Sequence, residues 1–246
     1  MKLVNLPNII TCGNVVCGCF SLYFASQGDL SMASLFIVLA AVFDFFDGMT
    51  ARALGISGPI GKELDSLADM VSFGVAPAVL AYRSALLLNT APGHNAFLFG
   101  WSMLIAAFSA LRLAKFNCDE RQSLSFIGLP TPANALFWIG IASLSGSDAV
   151  LSFAAQNQTI MGIAWAVLVA VMSVLLICEL PMFSLKIKPG HMSWNENKTR
   201  YTFLPIAVVL ITLSVIYGQA TASLAFVILL YILFSLFDFL SARKSL

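Results

Sequence analysis

Charge is scarce in this chain: Asp, Glu, Lys and Arg make up only 10% of its 246 residues. A soluble domain carries about 25%. With 59% hydrophobic residues and a mean hydropathy of +0.91, the deficit points to an integral membrane protein. Histidine is nearly missing too. His94 and His191 both fall in polar connections, which leaves no histidine in the apolar segments to serve as base or metal ligand. Cysteine is odd in number, and Cys12, Cys17, Cys19, Cys118 and Cys178 lie mostly in apolar stretches. That pattern reads as small packing residues, not a disulfide framework or a metal site. No internal repeat is visible and no linker divides the chain. The apolar runs are continuous, without the alternation of a transmembrane barrel. A net charge of +1 gives no basis for a nucleic-acid partner. No small-x-small cleavage site follows the apolar run after Lys2, so the N-terminal segment reads as a retained span.

A span needs about 20 apolar residues. Candidate segments are 8–26, 31–53, 66–88, 96–116, 131–146, 160–179, 202–218 and 222–240. The fifth and seventh are short, so six or seven spans also fit. Cytoplasmic loops collect Lys and Arg. With the N-terminus inside, all of the thirteen basic residues except Arg83 lie in or beside cytoplasmic segments. The external loops carry Asp29 and Asp148 and little other charge.

What is present against this background is a set of carboxylates at the ends of two apolar segments: Asp44, Asp47, Asp65 and Asp69. Ionisable groups near membrane depth are expensive and need a partner. The first two are three residues apart and the last two four apart, so each pair shares a helical face. A short loop joins the two helices, which lets the pairs converge. Four facing carboxylates cannot all keep their charge without cations between them. Oxygen-only ligands favour Mg²⁺, Mn²⁺ or Ca²⁺ over zinc. Two such ions would clamp a phosphoryl group for in-line displacement. Gly48 and Ala51 would let a ligand approach the helix closely, and Arg52 adds a cation suited to a diphosphate. Gly61 would relieve crowding where the helices meet. Lys62 stands beside Glu63 and reads as one half of a solvated pair.

These residues form the pattern D-x2-D-G-x2-A-R-x8-G-x3-D-x3-D, filled by Asp44, Asp47, Gly48, Ala51, Arg52, Gly61, Asp65 and Asp69. The pattern resembles that of the CDP-alcohol phosphotransferase family. The resemblance implies an all-α integral membrane protein. A six-helix core would span residues 1–180, with an additional transmembrane hairpin at 202–240, about eight spans in all. It implies an enzyme in which an alcohol displaces CMP from a CDP-linked lipid, with two divalent cations, Mg²⁺ or Mn²⁺. Asp44 and Asp65 would bridge the ions, Asp47 would bind the first and Asp69 the second. Asp69 would also act as general base. Gly48, Ala51 and Arg52 would contact the CDP moiety. Some members carry a nucleotide-contacting serine six positions after the motif arginine; here Gly58 stands there, beside Ser57. Family members often dimerise, so a homodimer is compatible with the resemblance.

Flanking segments narrow the acceptor. NLPNIITCGNVVCG at the start, SFGVAPA after Asp69, LRLAKFN at 111–117 and GLPTPANA at 128–135 resemble the serine-accepting branch of the family. That implies CDP-diacylglycerol and L-serine as substrates, at the cytoplasmic face of the cell (inner) membrane. Serine is a zwitterion, so its pocket needs a cation. Arg112 and Lys115 share one helical face at the end of the fourth span; either would serve, or both flank the span under the positive-inside rule. Thr131 and Asn134 follow Pro130 and Pro132, where they would line the same cleft or cap a helix. Asn8, Thr11 and Asn14 form a polar stripe on the first helix. It would face the nucleotide, with helix capping by Asn8 and a backbone bond from Thr11 as the other reading. The loop at 184–200, with Met192 and Trp194, either lies on the anionic leaflet or simply connects two spans. Two rivals stand. Within the family, the acceptor would be glycerol 3-phosphate, a dianion that wants a richer basic cluster. Outside it, a cation-coupled transporter would use the acids, but its inverted repeats are not visible.

Overall fold

A computed structural model describes residues 4–56, 58–88, 95–119, 126–183, 194–216, 218 and 220–244. Ser57, His94, Arg121, Lys186, Lys188, His191 and Met192 therefore lie outside the described residues.

The chain is a bundle of helices. Helix α1 (Leu6–Gln27) starts where the Asn5 side chain accepts the Asn8 amide at 2.9 Å. Asn5, not Asn8, is thus the cap. The helix ends at Gly28, whose φ of 88° is open to glycine at little cost. Asp29 then caps α2 (Leu30–Leu54) by accepting the Met32 amide at 2.9 Å. So short a link makes α1 and α2 antiparallel neighbours, and stacking of Phe36 on Phe20 and Phe24 joins them. Gly55, at φ 64°, ends α2.

Helix α3 (Pro59–Asp69) opens with proline in its first turn. It runs through a π-helical stretch, Met70–Val75, into α4 (Ala76–Leu88). The three pieces make one apolar unit, Pro59–Leu88. Helices α5 (Asn95–Ser102) and α6 (Leu104–Cys118) break at Met103. Helix α7 (Thr131–Ser145) is followed by α8 (Asp148–Gln156), bent from it by 78°. Helices α9 (Gln158–Ile177), α10 (Trp194–Ile216) and α11 (Ser223–Lys244) complete the bundle. Two short strands, β1 (Phe126–Ile127) and β2 (Pro181–Met182), pair antiparallel, with Phe126 opposite Met182.

Among the described residues, helix fills most of each of the eight expected apolar segments. Five helices are long and apolar enough to cross a membrane, six if α7 and α8 form one broken span. Together with the wide apolar surface left exposed on α2, α9, α10 and α11, this describes an all-α, multi-pass membrane protein. Such helices pack where small residues let backbones approach. A Cβ on Gly140 of α7 would stand 2.3 Å from the Ala225 backbone nitrogen of α11. A Cβ on Gly18 of α1 would stand 2.5 Å from the Ser72 hydroxyl of the π stretch. The C-terminal hairpin is thereby part of the bundle, and the Tyr231 hydroxyl ties α11 to the Phe183 carbonyl at 3.0 Å. All five cysteines are free, as expected, but only Cys17 is buried.

Candidate functional site

The site lies at the end of the bundle where α1 begins, α2 ends and α3 begins. One carboxylate oxygen each from Asp44, Asp47 and Asp65 lies within 4.8 Å of the others. The two pairs therefore converge as their spacing predicts. Asp69 stands outside that group of three, next to Asp44. It accepts a hydrogen bond from the Asn14 side-chain amide at 3.4 Å. Asn14 is fully buried and is itself held from α3's continuation, because the Ser72 hydroxyl donates to its carbonyl at 3.0 Å. The π stretch begins directly after Asp69. Its extra residue per turn shifts the helix face locally, an irregularity that recurs at functional sites.

A cavity of about 620 Å³ opens beside the acids. Asn8 and Thr11 of α1 form one wall, Asp47, Gly48 and Ala51 of α2 a second, and the start of α3 with Gly61 and Asp65 a third. Gly61 lies against Asn8: a Cβ there would meet the Asn8 Oδ1 at 3.6 Å, an ordinary van der Waals contact. Thr11 faces the cavity while its hydroxyl also donates to the Pro7 carbonyl at 3.0 Å. The backbone bond expected of Thr11 is therefore present, and it does not take the residue out of the cavity wall. Arg52 is exposed at the rim, with its Nη1 3.5 Å from where a Gly48 Cβ would be.

One oxygen shows what the acids are fitted for. Asp47 is 6% exposed, and its Oδ2 has no protein partner. A buried carboxylate oxygen left unpaired is costly, and a cation is the partner that removes the cost. The all-oxygen donor set fits a hard divalent ion. The three acids are thus suited to hold a divalent metal.

The residues expected to bind the acceptor separate. Arg112 is 3% exposed, its Nε lacks a protein partner, and its guanidinium lies 5.4 Å from the Phe116 ring centre. Lys115 is instead engaged, with its ammonium 3.4 Å from Glu179 Oε1 and 3.4 Å from the Ile177 carbonyl. Thr131 and Asn134 are buried on α7, whose start has no side-chain cap. Both amide atoms of Asn134 are unpartnered. None of these four residues lines the cavity beside the acids. Arg112's helix is joined to the acid site through Gly74 of the π stretch, where a Cβ would come within 3.2 Å of Ser109.

Sequence reasoning missed the link between α3 and α6. The Lys62 ammonium donates to the Asn117 carbonyl at 2.9 Å, and the Asn117 side chain donates to the Ser66 hydroxyl at 2.8 Å. The partners lie more than 50 positions apart, and no local pattern announces them.

The bundle and its acids define a polytopic membrane protein with a metal-competent carboxylate site beside an open cavity. More particularly, the chain belongs to the CDP-alcohol phosphatidyltransferase family, whose model matches residues 4–236. It is a phosphatidyltransferase. A CDP-diacylglycerol–serine O-phosphatidyltransferase of Helicobacter pylori (strain ATCC 700392 / 26695) is 30% identical over 238 residues, 95% of this chain and 90% of the relative. One of Bacillus subtilis (strain 168) is 40% identical over 127 residues, 52% of this chain and 69% of the relative. An archaetidylserine synthase of Methanothermobacter thermautotrophicus is 36% identical over 141 residues, 55% of this chain and 56% of the relative.

Proposed function

We propose that this enzyme transfers the phosphatidyl group of CDP-diacylglycerol to the hydroxyl of L-serine, forming phosphatidylserine and releasing CMP. The observation that carries the reading is the near full-length match to a relative named for that reaction, combined with the acids and cavity at one end of the bundle. The basic residues flanking that end support a site at the cytoplasmic face of the cell (inner) membrane, where both substrates would be met.

Asp44, Asp47 and Asp65 hold divalent cations, Mg²⁺ or Mn²⁺, with Asp69 beside Asp44 as the fourth ligand. When bound, the ions neutralise the diphosphate and the charge that develops on departing CMP. The protein's own groups do the rest. Asn8, Thr11, Gly48 and Ala51 shape the cavity that receives the nucleotide, and Arg52 guards its rim. Asp69 takes the serine hydroxyl proton, because an alcohol is a weak nucleophile without a positioned base. Asn14 anchors one oxygen of Asp69 and so fixes the orientation of the carboxylate. Arg112 is the better partner for the serine carboxylate than Lys115, since its Nε is unspent and Lys115 already has Glu179. A planar guanidinium also matches a carboxylate bidentately. Asn134, with both amide atoms free, is placed to meet the same zwitterion, with Thr131 one turn nearer the surface. Residues 1–180 supply this chemistry, and the hairpin at 202–240 buttresses it through α7.

Purified protein is assayed for CMP release with serine and, separately, with glycerol 3-phosphate. Release with serine alone is expected. Release with glycerol 3-phosphate but not serine would sink the serine assignment. An archaetidyl CDP-lipid tested beside the diacyl donor reports how far the lipid part is read.

A further inference from the structure

The donor cavity must accommodate a diphosphate, yet its acidic wall repels one. Arg52, the cation the motif offers, is exposed at the rim and is not among the lining residues. Among the described residues, the one cation in the lining is Lys62. It projects from the first turns of α3, between Gly61 and the metal-competent Asp65. An ammonium has three N–H donors and no acceptor. One is given to the Asn117 carbonyl at 2.9 Å. Two remain, and the bond fixes the ammonium's position without consuming it.

The backbone adds to this. Pro59, Ile60 and Gly61 line the cavity with Lys62, and α3 begins there with no side-chain cap. The first amides of a helix have no internal partner, and they favour anions. The amides of Ile60 and Gly61 therefore stand in the same wall as the ammonium. Lys62 lies outside the eight-position pattern, and as a sequence feature it reads as a solvated partner of Glu63. Only the fold turns it to the cavity.

We propose that Lys62, held in place by the Asn117 carbonyl, contacts the diphosphate of the CDP-linked donor. The inference rests on the reading of this cavity as the CDP-lipid site. It makes Lys62 a determinant of donor affinity and leaves serine affinity to α6 and α7.

The test is direct binding of CDP and of CMP to the full-length protein in detergent with Mg²⁺, with donor and serine KM measured alongside. Charge-assisted bonds to phosphate are strong, so Lys62→Met is expected to weaken CDP about ten- to a hundredfold. CMP, which lacks the second phosphate, should lose less. Donor KM should rise, serine KM should stay within about twofold, and Lys62→Arg should fall between. Ser66→Ala removes the bond from the Asn117 side chain and leaves the carbonyl that holds Lys62, so its CDP affinity should match wild type. Equal CDP binding by Lys62→Met and wild type would overturn the inference and leave the donor reading standing. So would an equal loss in Ser66→Ala, which would make the α3–α6 tether the cause. Failure of the wild-type protein to bind CDP at all would overturn the donor reading as well.

Discussion

Replacing Asp69 by asparagine separates its proposed role as base from the metal-holding role proposed for Asp44, Asp47 and Asp65. The substitution is nearly isosteric. The new amide keeps an oxygen for the Asn14 donor, whose nitrogen lies 3.4 Å from Asp69 Oδ1. The α1–π contact through Gly18 and Ser72 is untouched. What disappears is the proton acceptor. General base catalysis contributes roughly 10²–10⁴-fold, or about 2.7–5.4 kcal/mol of transition-state stabilisation at about 1.36 kcal/mol per tenfold. The expected result is a kcat for CMP release lowered by that factor. Donor binding in the presence of Mg²⁺ should fall far less. The Mg²⁺ concentration for half-maximal binding should move less than in Asp47→Asn, because Asp47 belongs to the group within 4.8 Å and Asp69 does not. Stopped assays with labelled serine give the rate, and titration with a CDP-lipid gives the binding. Turnover within about threefold of wild type would refute the base assignment. A metal requirement raised more by Asp69→Asn than by Asp47→Asn would refute the division of labour.

Chelation with EDTA should abolish CMP release, and excess Mg²⁺ or Mn²⁺ should restore it; activity that survives chelation would remove the metal role. Asn14→Ala frees an oxygen of Asp69, so kcat should drop roughly 10- to 100-fold with donor KM little changed; a donor KM effect alone would make Asn14 a nucleotide contact instead. Arg112→Lys should raise serine KM at least about tenfold because the planar fork is lost, whereas Lys115→Met should change serine KM less than about threefold; the reverse order would exchange the two. Gly140→Ala forces a methyl toward the Ala225 backbone, 2.3 Å away, at a cost of about 1–3 kcal/mol. A melting temperature several degrees lower in detergent is expected, and an unchanged one would separate α11 from α7.

Much of the site was legible because helix geometry is local. Spacings of three and four fix which acids share a face, so the convergence of Asp44, Asp47 and Asp65 followed from the chain order and a short loop. Capping by Asn8, the other reading of that residue, does not hold: Asn5 and Asn8 are both good caps, and only the backbone at Asn5 shows which one bonds. Asn14 was legible as a polar group too deep to cap, but its partner, Asp69, is 55 positions away. Arg112 and Lys115 looked equivalent, since they share a face. Glu179, from a segment 64 residues later, distinguishes them.

The sequence by itself determined the membrane class, the helical segments and the eight-position acid pattern. Composition and local periodicity are enough to specify these. Tertiary structure alone decided which three acids draw closest together, that Lys62 and not Arg52 lines the cavity beside them, and that Lys115 is engaged by Glu179 while Arg112 Nε has no protein partner. Those choices depend on how α1, α3 and α6 rotate against one another. Close approaches at Gly18 and Gly74 help set that rotation, and no single helix encodes it.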